Sequence, residues 1–159
     1  MDNFLIWMET SALGQSMRES VWFFPMAEIL HFIGLSLLIG SLMVVDLRLL
    51  GVIKEMSYDA AYRFLPISLL GFGINMTTGF LFCFTDPFRY YPNIAFRLKM
   101  LLVLLAGLNA LWFKISIYPL TMNTPEKADT SKAAKTVAVL SLVFWFAVIV
   151  MGRMIPYVE

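Results

Sequence analysis

The stretch Val21 to Val45, VWFFPMAEILHFIGLSLLIGSLMVV, holds one acid, Glu28, and the only histidine of the chain, His31, in an otherwise uncharged run. A run of that length crosses a hydrocarbon core of roughly 30 Å as a helix. An ionisable side chain is costly in lipid, so it marks a place where something is bound, paired or moved. Glu28 stands one helical turn before His31, which puts both on one helix face.

The rest of the chain repeats the pattern. Of its 159 residues, 60% are hydrophobic and 14% charged, with a mean hydropathy of +0.77, far from the balance of a soluble domain. Three more apolar segments, near 65–84, 96–117 and 136–154, are long enough to span, and a helix satisfies its own backbone in lipid. The connectors carry turn residues: Ser57, Asp59 and Pro66, then Asp86-Pro87 and Pro92-Asn93, then Pro119 and Pro125. Residues 1–20 mix Leu5, Ile6, Trp7 and Leu13 with polar residues and lack a basic leader before an apolar core, so a short interfacial helix is expected rather than a cleaved signal. The reading is all-α: an integral membrane four-helix bundle, one membrane domain over 1–159, with spans near 21–45, 65–84, 96–117 and 136–154.

Charge narrows the partners. A net charge of +1 leaves no concentrated basic surface for nucleic acid. Cys83 is the only cysteine, so neither an intrachain disulfide nor a four-cysteine metal site can form. Arg48, Lys54, Arg63, Lys114, Lys127, Lys132 and Lys135 flank the loops after the first and third spans, against Arg18, Arg89, Arg97, Lys99 and Arg153 on the other side. That bias places both termini outside.

With that orientation His31 lies roughly 10 to 15 Å below the outer surface at 1.5 Å per residue, and Arg97, Lys99 and Arg153 lie at the same end. A buried imidazole beneath a basic rim is the arrangement haem b requires, with the cations meeting the propionates. A group near the second imidazole nitrogen fixes the ring, and Glu28 is the candidate; Tyr90, Tyr91 and Tyr157 could add polar contacts. The plainer alternative is that basic residues at span ends only anchor the helices.

Gly71, Asn75 and Gly79 form a flat stripe on the second span, suited to a neighbouring helix or to a planar macrocycle. Ser36 with Gly40 offers another small surface. Asn75 and Asn109 fall at similar depth and are expected to hydrogen-bond each other. Eleven methionines raise a copper reading, since thioethers are soft ligands. Only Met151 and Met154 pair on one helix, and the others read as core filling. Trp22, Trp112 and Trp145 read as interfacial or packing residues.

His31-Phe-Ile-Gly-Leu-Ser-Leu-Leu-Ile-Gly-Ser-Leu with Asp46-Leu-Arg48-Leu-Leu-Gly51, then Phe96-Arg97-Leu-Lys99 and Gly152-Arg153-Met-Ile-Pro-Tyr157, resembles small bacterial membrane proteins of the DUF6644 type. A span-one histidine and an Arg-x-Lys heading an apolar span are more distantly similar to haem-dependent protoporphyrinogen oxidases and to copper-resistance D membrane domains. Those relatives imply haem or copper at His31, with Lys99 matching their lysine, in a bacterial inner (cytoplasmic) membrane. The chain has no second histidine, so ligation by two histidines of one chain is excluded. The iron would be five-coordinate, would add a methionine, or would borrow a histidine from a second subunit.

The expectation is a haem b protein for electron transfer or small-molecule redox chemistry, an oxidoreductase if it is an enzyme. His31 would ligate the metal, with Glu28, Arg97, Lys99 and Arg153 as further cofactor contacts, in a homo-oligomer with a redox partner or quinone. A copper-handling or ion-translocating protein and a structural membrane subunit are the alternatives.

Overall fold

The computed structural model describes residues 2–123 and 130–158, so Pro125 and Lys127 lie outside the described residues. Nine α-helices follow one another there: α1 Asp2–Thr10, α2 Ala12–Glu19, α3 Phe23–Leu50, α4 Tyr58–Tyr62, α5 Leu65–Thr85, α6 Pro87–Tyr90, α7 Ile94–Trp112, α8 Tyr118–Met122 and α9 Lys132–Met154. Four stretches, Phe23–Leu50, Tyr58–Thr85, Ile94–Met122 and Lys132–Met154, are long and apolar enough to cross a membrane. The chain is a multi-pass membrane protein.

The first span runs five residues past its expected end. Asp46 and Arg48, beyond the expected end of the span, are both buried. The helix stops only at Gly51, whose φ of +79° is the left-handed turn that glycine adopts freely. The third span departs from regularity: after Trp112 it widens into a π-helical turn, Phe113–Ile117, before α8. Pro119 is the cause, because its ring clashes with the carbonyl four residues back, at Ile115, and it has no N–H to donate. The N-terminal interfacial segment is two helices rather than one, divided at Ser11, which caps α2 by accepting a hydrogen bond from the Gly14 N–H.

Packing follows the placement of small residues. Ala27, His31, Gly34, Leu38, Ser41 and Val45 recur at alternate steps of four and three along α3, the 3.5-residue period that keeps a seam facing a nearly parallel partner. Ser68, Gly71, Asn75 and Thr78 continue the same rhythm on α5. Large apolar side chains such as Leu69, Leu70, Leu104 and Leu108 point outward, where lipid is as good a neighbour as another helix. α3 therefore packs against α5 and α9, and α9 against α7, whereas α5 and α7 scarcely touch. The spans form an arc in the order α5, α3, α9, α7, open on one side.

The closest approach is between α3 and α5. A Cβ added at Gly71 would stand 2.6 Å from both the Gly34 carbonyl oxygen and the Leu38 nitrogen. The Gly71–Asn75 stripe is thus a helix-packing surface, while Gly40 has nothing within 4 Å and the Ser36–Gly40 surface is exposed. At the end carrying both termini, Arg18 of α2 donates to the Thr85 carbonyl at 3.2 Å, meeting an orphan acceptor at the end of α5. At the other end Arg48 donates to the Met56 carbonyl and lies 3.9 Å from the Tyr58 ring centre. Tyr58 meets Thr130 at 2.9 Å and Tyr62 meets Thr121, tying α4 to the third and fourth spans.

Gly71→Ala is expected to lower stability by roughly 1–3 kcal/mol, the cost of overpacking against backbone that cannot yield. Gly73→Ala, where nothing lies within 4 Å, is expected to be neutral or slightly stabilising. Thermal unfolding of the two variants in one detergent checks the contrast.

Candidate functional site

His31 reaches α5 through Thr78. Its Nδ1 lies 2.7 Å from Thr78 Oγ1. The threonine hydroxyl proton is directed to the Ile74 carbonyl oxygen, 2.8 Å away, so its oxygen is left to accept from the imidazole. With the hydroxyl so directed, neutral His31 would carry its proton on Nδ1 and keep its Nε2 lone pair unused. Nε2 has no hydrogen-bond partner among the described residues. Phe82 packs against the ring with centroids 5.3 Å apart, and a Cβ at Gly79 would come to 3.9 Å from Cε1. The ring is thus fixed by α5 on one edge and one face.

Lys99 approaches from the other arm of the arc. Its side chain lies along Gly152 of α9, where an added Cβ would meet Nζ at 3.5 Å. It is near enough to His31 and Cys83 to act on both electrostatically. Glu28 is exposed, with no hydrogen bond or ion pair to His31; its electrostatic neighbour is Tyr90. The orienting group on His31 Nδ1 is therefore Thr78 and not Glu28. The glutamate three residues back extends outward from its own helix, whereas the threonine is delivered by the facing one.

The two arginines sit at the rim. Arg97 donates from Nε to the Tyr91 carbonyl at 3.1 Å and lies over that tyrosine's ring, and Arg153 donates to the Tyr157 hydroxyl at 3.1 Å. Tyr90, outside the spans, packs edge-on against Phe96 at 5.6 Å. Burial pushes its phenol above the ordinary value, with Cys83 adding to the shift and Arg89 opposing it, so it stays a protonated donor. His31, Cys83 and Lys99 interact electrostatically, while Arg97 and Arg153 lie toward the same end.

The paired asparagines do not pair. Asn75 Nδ2 donates to Gly71 O within α5, and Asn109 Nδ2 donates to Val137 O of α9, each at 3.0 Å. Equal depth is not adjacency when α5 and α7 stand apart. Met151 is half-buried and Met154 exposed. Trp22 and Trp112 are exposed, and Trp145 packs on Phe72 with centroids 6.1 Å apart. No three His, Cys, Asp or Glu residues gather as a metal site among the described residues.

Thr78, Phe82 and Cys83 were not among the candidates from sequence. The signal for Thr78 was present, since it lies seven residues after Gly71 on the same stripe. The model of a family of unknown function, DUF6644, matches residues 4–158. No curated protein and no solved structure matches the chain.

Thr78→Val removes the acceptor for Nδ1–H while keeping shape, so the imidazole is expected to shift toward the Nε2–H tautomer. Thr78→Ser is expected to retain the Nδ1–H form. Nitrogen-15 NMR of protein labelled at histidine reads the two tautomers directly.

Proposed function

Given that the chain belongs to the DUF6644 family, we propose that it is a membrane haem b protein in which His31 Nε2 is the ligand this chain gives to the iron. The observation that carries the proposal is one imidazole inside a membrane-spanning helix, held through its Nδ1 by Thr78 of the facing helix. Haem brings four nitrogen donors of its own and needs one imidazole, which a chain with a single histidine can give.

The surrounding residues have complementary tasks. Thr78 holds the ring against rotation and, as acceptor for Nδ1–H, sustains the basicity of Nε2. Lys99 offers the nearest cation for a propionate, and Arg97 and Arg153 add positive charge at the rim. Phe82 excludes water from one face of the ring. The gap between α5 and α7 is the side from which a planar group as large as haem meets the fewest helix contacts. Bound there, haem would supply a one-electron couple and, with a single histidine, an iron position open to a small molecule. Electron transfer or small-molecule redox chemistry follows from that coordination.

Purified protein supplied with haem is expected to show a Soret band at one haem per chain. His31→Ala is expected to lose it, and added imidazole to restore it in His31→Gly. Lys99→Ala is expected to weaken haem affinity by roughly tenfold, the scale of one hydrogen bond to a charged group, with the ligated spectrum retained. A wild-type protein without a Soret band, or a band unchanged in His31→Ala, overturns the proposal.

A further inference from the structure

The two short helices before the first span lie across one end of the bundle, where α2 packs on both α5 and α3. Backbone carbonyls hold them there. Arg18 of α2 donates from Nη1 to the carbonyls of Phe84 and Thr85, at 3.5 and 3.2 Å, and from Nη2 to the Glu9 carbonyl. One guanidinium thus joins α1, α2 and the last turn of α5, whose final carbonyls have no partner within their own helix. The fit is close: a Cβ added at Gly14 would stand 2.9 Å from the Phe84 oxygen and 2.6 Å from that of Met8.

The same turn of α5 reaches the imidazole. Phe82 packs on His31 with centroids 5.3 Å apart and on Phe24 of α3 at 5.6 Å. A helix end opens readily when its last carbonyls are unmet, so whatever seats α2 also keeps Phe82 against His31.

The surface that does the seating is on α1. Leu5 and Met8 are buried, whereas Phe4 and Trp7, one turn apart and stacked at 5.8 Å, are 60% and 58% exposed. Trp7 meets Phe84 edge-on at 6.1 Å, and Phe84 meets Phe80 at 4.9 Å. Phe80 is 61% exposed in a membrane-spanning stretch, so its outer surface is lipid. Four rings therefore make one run from the acyl chains at Phe80, past the end of α5, to Phe4. Phe80 lies about 8 Å of helix inside that end, which puts Trp7 at the level where indole rings collect, between head groups and acyl chains.

We propose that Phe4 and Trp7 form a docking edge for the bilayer interface, and that α1 and α2 are a strap coupling this lipid contact to the packing of Phe82 on His31. The continuity of the ring run with a lipid-facing wall is what selects lipid as the occupant. Lipid that holds Phe4 and Trp7 keeps Gly14 and Arg18 on the end of α5; lipid that releases them frees the turn bearing Phe82. The inference does not depend on what His31 binds.

Bromine-labelled phospholipids in nanodiscs test the docking. The share of tryptophan emission lost in Trp7→Phe belongs to Trp7, and that share is expected to be quenched more by bromines on the upper acyl carbons than by bromines near the methyl ends, and to resist iodide in the water. Quenching by iodide without quenching by bromolipid, or quenching strongest at the methyl ends, overturns the docking. Coupling is read from hydrogen exchange over residues 81–86 and from the imidazole proton signals of His31, the only histidine. Arg18→Gln is expected to speed that exchange roughly tenfold, the scale of one hydrogen bond from a charged donor, and to shift the His31 signals as the Phe82 ring moves off. Phe4→Ser with Trp7→Ser is expected to act in the same direction, and Ile6→Ser, on another face of α1, to change neither. Arg18→Lys, which keeps a donor for the Thr85 carbonyl, gives smaller changes of the same sign if Arg18→Gln fails to fold. His31 signals and exchange that stay at wild-type values in the Arg18 and Phe4/Trp7 variants overturn the coupling. Both readouts are taken without added haem, so they stand or fall apart from the haem reading.

Discussion

Gly34 and Gly71 let α3 and α5 meet backbone to backbone, and the polar groups of the membrane interior are arranged around that contact. Two helices bearing ordinary side chains would stand farther apart, and Thr78 would no longer lie 2.7 Å from His31. The threonine hydroxyl spans the interface as acceptor from one helix and donor to the other. Asn75, one turn earlier, turns its amide back to Gly71 and leaves the seam narrow. In lipid no hydrophobic force drives such helices together, so close packing and these few polar contacts must provide the association.

The two ends of the arc are built differently. At the connector end, Arg48, Tyr58, Tyr62, Thr121 and Thr130 join four elements through hydrogen bonds and ring contacts, and a core of Val45, Leu49, Ala61, Ile117, Ala134 and Ala138 is almost sealed. At the end bearing the termini, the cap is two short helices held by Arg18.

Hydropathy made the four spans legible, because the cost of exposed backbone in lipid leaves few options. Their neighbours were not legible: an outward Leu104 and an inward Val137 look alike in a sequence when both lipid and protein are apolar. The assumption that consecutive spans α5 and α7 touch produced the expected Asn75–Asn109 pair, and the arc order removed it. His31 and Lys99 were legible as costly residues in apolar spans. Thr78 was missed because the search for a partner stayed on His31's own helix, where Glu28 was the visible choice. Arg48 was counted with the loop charges because charge normally ends a span, whereas both it and Asp46 are buried.

The gap between α5 and α7 also determines what the concave side counts as solvent. A solute arriving there through the acyl chains has a local abundance set by partitioning, which changes by about 0.8 kcal/mol for each methylene it carries. Two molecules of equal aqueous concentration and equal intrinsic fit can then differ by orders of magnitude in occupancy through tail length alone. For any ligand taking that route, selection would begin in the bilayer, before a side chain of the protein is touched, and lipid composition would enter its occupancy.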